Sequence, residues 1–185
     1  TSFLAHGGSY VDAGGGTPDQ CFTRGEAFLK LGYRVLVFVD ADKPVTTAGL
    51  IERFRAAGGE YLTWRDGFAL EDELFLHVSD DAVTALLKKA EETIGRELMV
   101  EHIRSKSNGR LTLDDIEFER VIDVYTPASR ALLGHAARNN KNGWFKSVGC
   151  FQDIATDIVG PHMDDAEQGF IHITNKLWRW MNAAA

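Results

Sequence analysis

Two acids close an unbroken apolar run, Arg34-Val35-Leu36-Val37-Phe38-Val39-Asp40-Ala41-Asp42, and they hold the clearest chemistry in the chain. Side chains two apart on a strand share a face. The carboxylates of Asp40 and Asp42 would therefore reach one spot at the strand's carboxyl end, where open α/β sheets hold their ligands. Like charges so close repel unless a cation neutralises them. An all-oxygen pair suits Mg2+ or Mn2+. The alternative is a strand-to-helix loop in which one Asp caps the following helix. Asp12, at the end of an earlier apolar segment, would point into the same crevice. Glu71, chosen among Asp66, Glu71, Asp72 and Glu73, is the acid whose place after a third strand brings it near the pair. Lys146 follows Trp144 and Phe145. It is either a surface lysine whose stem packs on the rings or an ammonium aimed at a phosphate.

The elements needed to present these groups can be read in order. Tyr10-Val11-Asp12-Ala13, before Gly14-Gly15-Gly16, reads as a first strand ending at a glycine turn. Thr17 caps a helix with Pro18 at its first position, which carries Cys21-Phe22 and Ala27-Phe28-Leu29 and stops at Gly32. Val35 to Val39, without polar alternation, is a central parallel strand buried on both faces. An amphipathic helix from Thr46 or Thr47 through Leu50, Ile51, Phe54 and Ala57 ends at Gly58-Gly59, and Tyr61 to Trp64 makes a third strand. Arg65-Asp66-Gly67 is a polar turn. This order is the opening of a doubly wound sheet. The glycine turn also invites a dinucleotide reading, but it lacks G-x-G-x-x-G spacing, and Asp40 comes as a pair rather than as a lone ribose ligand.

Beyond the third strand the pattern is helical. One helix starts near Leu70, with most of its acids in a solvated first turn. Others span Asp81 to Ile94, Thr112 to Phe118, Pro127 to Arg138, Ser147 to Val159 and Glu167 to Met181. Ile103 to Arg110 reads as a basic, polar hinge. The division expected is a catalytic core over residues 1–105 and a helical C-terminal extension over 106–185 that carries Lys146.

The composition is that of an ordinary globular protein, 44% hydrophobic and 25% charged over 185 residues, which excludes disorder and coiled coil. No apolar run approaches the roughly 20 residues of a membrane span, and no secretory signal opens the chain. Cys21 and Cys150 lack zinc-like spacing and read as reduced thiols of a cytoplasmic protein. A net charge of -7 argues against a nucleic-acid binder driven by charge alone. It does not exclude a nuclease, whose carboxylates are offset by bound metal. Opening at Thr1, directly before an apolar segment, the chain reads as an excised or processed piece of a larger protein.

Asp12 with its glycine turn, Gly32-Tyr33 leading into Val35 to Val39, Asp40-Ala41-Asp42, Glu71 and Trp144-Phe145-Lys146 together resemble the Toprim nuclease domain of the OLD (overcoming lysogenization defect) family. These are ATP-dependent endonucleases that include the Gabija-type antiphage nucleases. The likeness covers residues 8–78, and the helical remainder matches chiefly at Lys146. It implies an α/β fold with a Toprim (Rossmann-like) parallel sheet of about four strands flanked by helices, and a helical C-terminal extension. The activity implied is cleavage of DNA phosphodiester bonds by an endonuclease that uses Mg2+ or Mn2+ in a two-metal site. Asp12, Asp40 and Asp42 would hold metal, Glu71 would assist a second ion, and Lys146 would steady the scissile phosphate. Such ions clamp the attacking and leaving oxygens and make water a nucleophile; the lysine offsets charge developing on the phosphoryl oxygens. In that family an ABC-type ATPase domain precedes the nuclease domain. The implied partners are thus DNA and that ATPase domain, with a homodimer left open and no membrane.

This chain departs from the family in two places. The family carries Glu where Asp12 stands, and often another acid where Gly16 stands, with Asp19 the nearby substitute. A catalytically degenerate Toprim module for dimerisation or DNA positioning is therefore a second expectation. A third is a haloacid-dehalogenase-like phosphatase, with Asp40 as nucleophile, Asp42 as general acid, Lys146 on the phosphate and Asp164-Asp165 as late metal acids. Those enzymes place the nucleophilic strand first and follow the pair with a small hydroxyl, where this chain has Pro44.

Overall fold

Nine α-helices and one pair of parallel strands make up a mostly helical α/β fold in the computed structural model, which describes residues 7–11, 16–139, 142–145 and 147–183. The chain divides into two units, residues 1–68 with 172–185 and residues 69–171.

The first unit holds α1 (Pro18–Lys30), β1 (Leu36–Val39), α2 (Leu50–Ala56) and β2 (Glu60–Thr63). At the start of α1 the Thr17 N–H donates to Gln20 Oε1 at 3.2 Å, as the capping pattern of the sequence requires. The strands pair in parallel from Leu36 opposite Glu60 to Val39 opposite Thr63. Phe22, Val37, Leu50 and Phe54 form the core, with the Phe22 and Phe54 rings edge to face at 5.2 Å. Gly25 is what lets α1 come this close: a Cβ there would sit 2.8 Å from the Phe54 ring and 3.0 Å from Val37.

Among the described residues the sheet has two strands rather than about four, and residues 7–11 carry no strand, with Tyr10 and Val11 exposed. The rest of the expected first strand lies outside the described residues. Two strands cannot cover both of their faces, so only Val37 of β1 is buried. The second helix also begins later than expected, at Leu50, because the Thr46 and Thr47 amides donate to the Asp19 carboxylate instead of opening a helix.

The second unit contains α3 (Leu70–His77), α4 (Asp80–Ile94), α5 (Arg96–Lys106), α6 (Leu113–Ile122), α7 (Pro127–Ala137) and α8 (Val148–Asp153). From α8 the chain continues through a π-helical turn, Ile154–Val159, and a 3-10 turn, Gly160–Asp165. Then α9 (Gln168–Asn182) begins in this unit and ends in the first. Helices α3 and α7 pack backbone to backbone because Gly134 has no side chain; a Cβ there would lie 2.8 Å from Asp72 Cα. Arg130 of α7 fastens the end of α3, donating to the Phe75 and Val78 carbonyls at 2.9 and 2.8 Å and pairing with Asp80 at 2.6 Å. Helix α5 is continuous through residues 103–106, so the turn expected over Ile103 to Arg110 is confined to residues 107–110. The units divide at Phe68–Ala69 and Ile171–His172.

Candidate functional site

Because β1 and β2 run parallel, both carboxyl ends reach the same edge. Strand β1 stops at Val39, so Asp40 follows the strand and Asp42 lies in the bend over residues 41–43; the strand's period of two does not set their mutual orientation. The backbone positions them instead. Ala41 N–H donates to the Phe68 carbonyl at 2.8 Å, and Gly67 N–H donates to the Ala41 carbonyl at 3.2 Å. These bonds extend the pairing past the strands, and they bind the Asp40-Ala41-Asp42 segment to the turn that follows β2. Asp40 and Asp42 are both exposed. Behind them, the Phe38 and Trp64 rings pack at 4.7 Å.

The loop after Asp42 is tied down by Asp19. Its carboxylate accepts from Thr46 N–H at 3.0 Å, Thr47 N–H at 2.7 Å and Thr46 Oγ1 at 3.2 Å. Hydrogen bonds from Thr47 and Thr46 hold the Asp19 carboxyl far below the usual carboxylate range. Asp19 thus anchors the loop that follows Asp42.

The remaining expected residues are placed as follows. Asp12 and Lys146 lie outside the described residues. Glu71 stands in the first turn of α3, partly buried, and belongs to the second unit, whereas Asp40 and Asp42 belong to the first. Of the other acids weighed with it, Asp66 is exposed in the turn bonded to Ala41. Asp72 and Glu73 correct the picture of a solvated first turn, being 6% and 0% exposed. Asp72 accepts from Ala69 N–H at 2.9 Å and pairs with Arg138 at 2.8 Å. Glu73 lies 3.8 Å from His77. Buried carboxylates need such partners, and nothing in an acidic run says which of its members will have them.

Trp144 and Phe145 are core rather than a surface platform, at 0% and 1% exposure. Trp144 Nε1 donates to His102 Nδ1 at 3.2 Å, and its ring meets Phe75 edge to face at 5.7 Å.

Two exposed carboxylates fit a hard cation, since Mg2+ commonly takes one or two carboxylates and fills its other positions with water. Among the described residues no group of three or more His, Cys, Asp or Glu is placed to hold an ion. Charge is divided unevenly between the units: nine basic and eight acidic residues in 1–68 with 172–185, against eleven and nineteen in 69–171. The acidic surplus therefore belongs to the second unit, and the Asp40 segment to the first. No helix among the described residues is long and apolar enough to cross a membrane.

What sequence reading missed is the tie between Ala41 and residues 67–68. The Arg65-Asp66-Gly67 turn could be seen, but no signal named its partner. No family model, curated protein or solved structure matches the chain.

Proposed function

We propose that this chain is the nuclease part of a larger ATPase-nuclease, cutting DNA phosphodiester bonds with Mg2+ or Mn2+ from a Toprim-like sheet of about four strands to which β1 and β2 belong. The observation that supports this most is the Asp40-Ala41-Asp42 segment at the carboxyl edge of a parallel pair, its two acids exposed and Ala41 fastened to the turn after β2. Fixing Ala41 limits how far the flanking carboxylates can move, which lowers the cost of gathering two like charges on one ion. Asp40 and Asp42 would hold the metal, with Asp12 as the further acid of the same unit. When bound, the ion supplies Lewis-acid polarisation and a more acidic water. The near balance of charge in the first unit suits a polyanionic substrate better than the net charge of the whole chain. The expected setting is the cytoplasm, with an ATPase domain as the protein partner and a homodimer left open.

Nicking of supercoiled plasmid in Mg2+ or Mn2+, abolished by chelation and by Asp40→Ala or Asp42→Ala, is the expected result. If the wild-type protein, alone and in its full-length context, cuts no DNA with either metal, the degenerate-module reading replaces this one. Phosphate release from a simple monoester, with beryllium fluoride trapped on Asp40, would turn the assignment to a phosphatase.

A further inference from the structure

We propose that the outward face of α6 docks a helical segment of a partner protein, apolar along one side and flanked by lysine or arginine. Helix α6 buries Leu113 and Ile116 completely, yet it leaves Phe118, Val121 and Ile122 exposed by 61%, 79% and 69%, and Val124 just beyond by 48%. The first three recur at the spacing of one helix face. Isolated exposed apolar side chains are ordinary, but four large ones within seven residues make the kind of contiguous patch that marks an interaction site.

The charges around this stripe select the occupant. Asp114, with its side chain 82% exposed, Glu117 at 40% and the exposed Asp123 border it. One guanidinium, that of Arg96, serves both Asp114 and Glu117 at 2.6 Å, so the three acids keep a net negative charge. Arg120 adds little, because it pairs with Asp81 at 2.6 Å. A second copy of the chain meeting this face across a two-fold axis would set acid against acid. A helix with basic flanks would meet opposite charge while its apolar side covers Phe118, Val121 and Ile122.

The test uses two labelled synthetic peptides, each an amphipathic helix with a leucine stripe, one flanked by lysine and one by glutamate. Fluorescence anisotropy with the intact chain should show binding of the lysine-flanked peptide only. That binding should weaken at least about tenfold in Val121→Asp, and several-fold in Asp123→Lys or in high salt. Both substitutions fall on exposed side chains, and a thermal melt unchanged from wild type checks that the fold is intact. No binding of the lysine-flanked peptide, equal binding of both peptides, or full binding by Val121→Asp would each overturn the proposal. So would self-association in sedimentation that Val121→Asp abolishes, since the occupant would then be a second copy.

Discussion

The two units use their acidic residues in opposite ways. In residues 69–171 carboxylates hold the structure together: Asp72 is locked between the Ala69 amide and Arg138, Asp80 answers Arg130, and Glu73 lies fully buried beside His77. In the smaller unit Asp40 and Asp42 stand exposed at the end of a strand, and backbone bonds fix the residue between them. A carboxylate enclosed by protein donors stabilises the fold and cannot easily exchange partners, whereas one held at an exposed edge can take an ion. Acid count alone would assign the chemistry to the helical unit, which carries nineteen of the acids. The proposal places it at the strand pair instead.

The largest test of that contrast is on activity. Asp40→Ala and Asp42→Ala should each lower plasmid nicking about a hundredfold or more, with the denaturant midpoint unmoved; a clear loss of stability would make them structural acids like Asp72. Next come the two cores. Trp144→Ala should destabilise the helical unit by about 4 kcal/mol and Phe54→Ala the strand unit by about 3 kcal/mol, both read by denaturant unfolding. Single coincident transitions in both variants would show that the units share one cooperative fold and would weaken the comparison. Arg138→Ala should cost about 2 kcal/mol, because it leaves the buried Asp72 with a backbone partner alone; an effect near zero would mean that the Ala69 amide suffices.

The smallest effect concerns Asp19. Its carboxyl is depressed in the folded chain by Thr47 and Thr46, so the stabilisation it provides is present above the unfolded value, about pH 4, and is lost as the pH falls from there toward the folded one. Asp19→Asn should therefore lower the melting temperature at neutral pH, and its difference from wild type should shrink as the pH drops below about 4. A difference constant with pH would show that the loop does not depend on the charge.

Much of the scaffold is legible in the sequence because short-range rules set it. Thr17 and Pro18 open α1, and Thr112 with Asp115 opens α6, where Asp115 N–H donates to Thr112 Oγ1 at 3.2 Å. The apolar run of β1 and the stop of α2 ahead of Gly58-Gly59 are equally local. What could not be read depends on partners distant along the chain. Asp72 and Glu73 look like Glu71 in sequence, yet Arg138 of α7 and His77 decide that they are internal. Trp144 and Phe145, in a segment rich in turn formers, look like surface rings until His102 and Phe75 claim the indole. The mutual placement of Asp40 and Asp42 depends on a strand ending one residue before the pair and on Phe68, which no periodicity announces.

The Arg34 side chain donates to the Ala183 carbonyl at 2.6 Å and to the Trp180 carbonyl, and its guanidinium lies 4.4 Å from the centre of the Trp180 ring. The cation thus closes the C-terminal end of α9 from a position just ahead of β1. During synthesis these groups leave the ribosome far apart in time, since Arg34 and Trp180 are 146 residues apart. The intervening helices can settle while the two-strand unit still waits for its last piece, so the part made first is the part finished last.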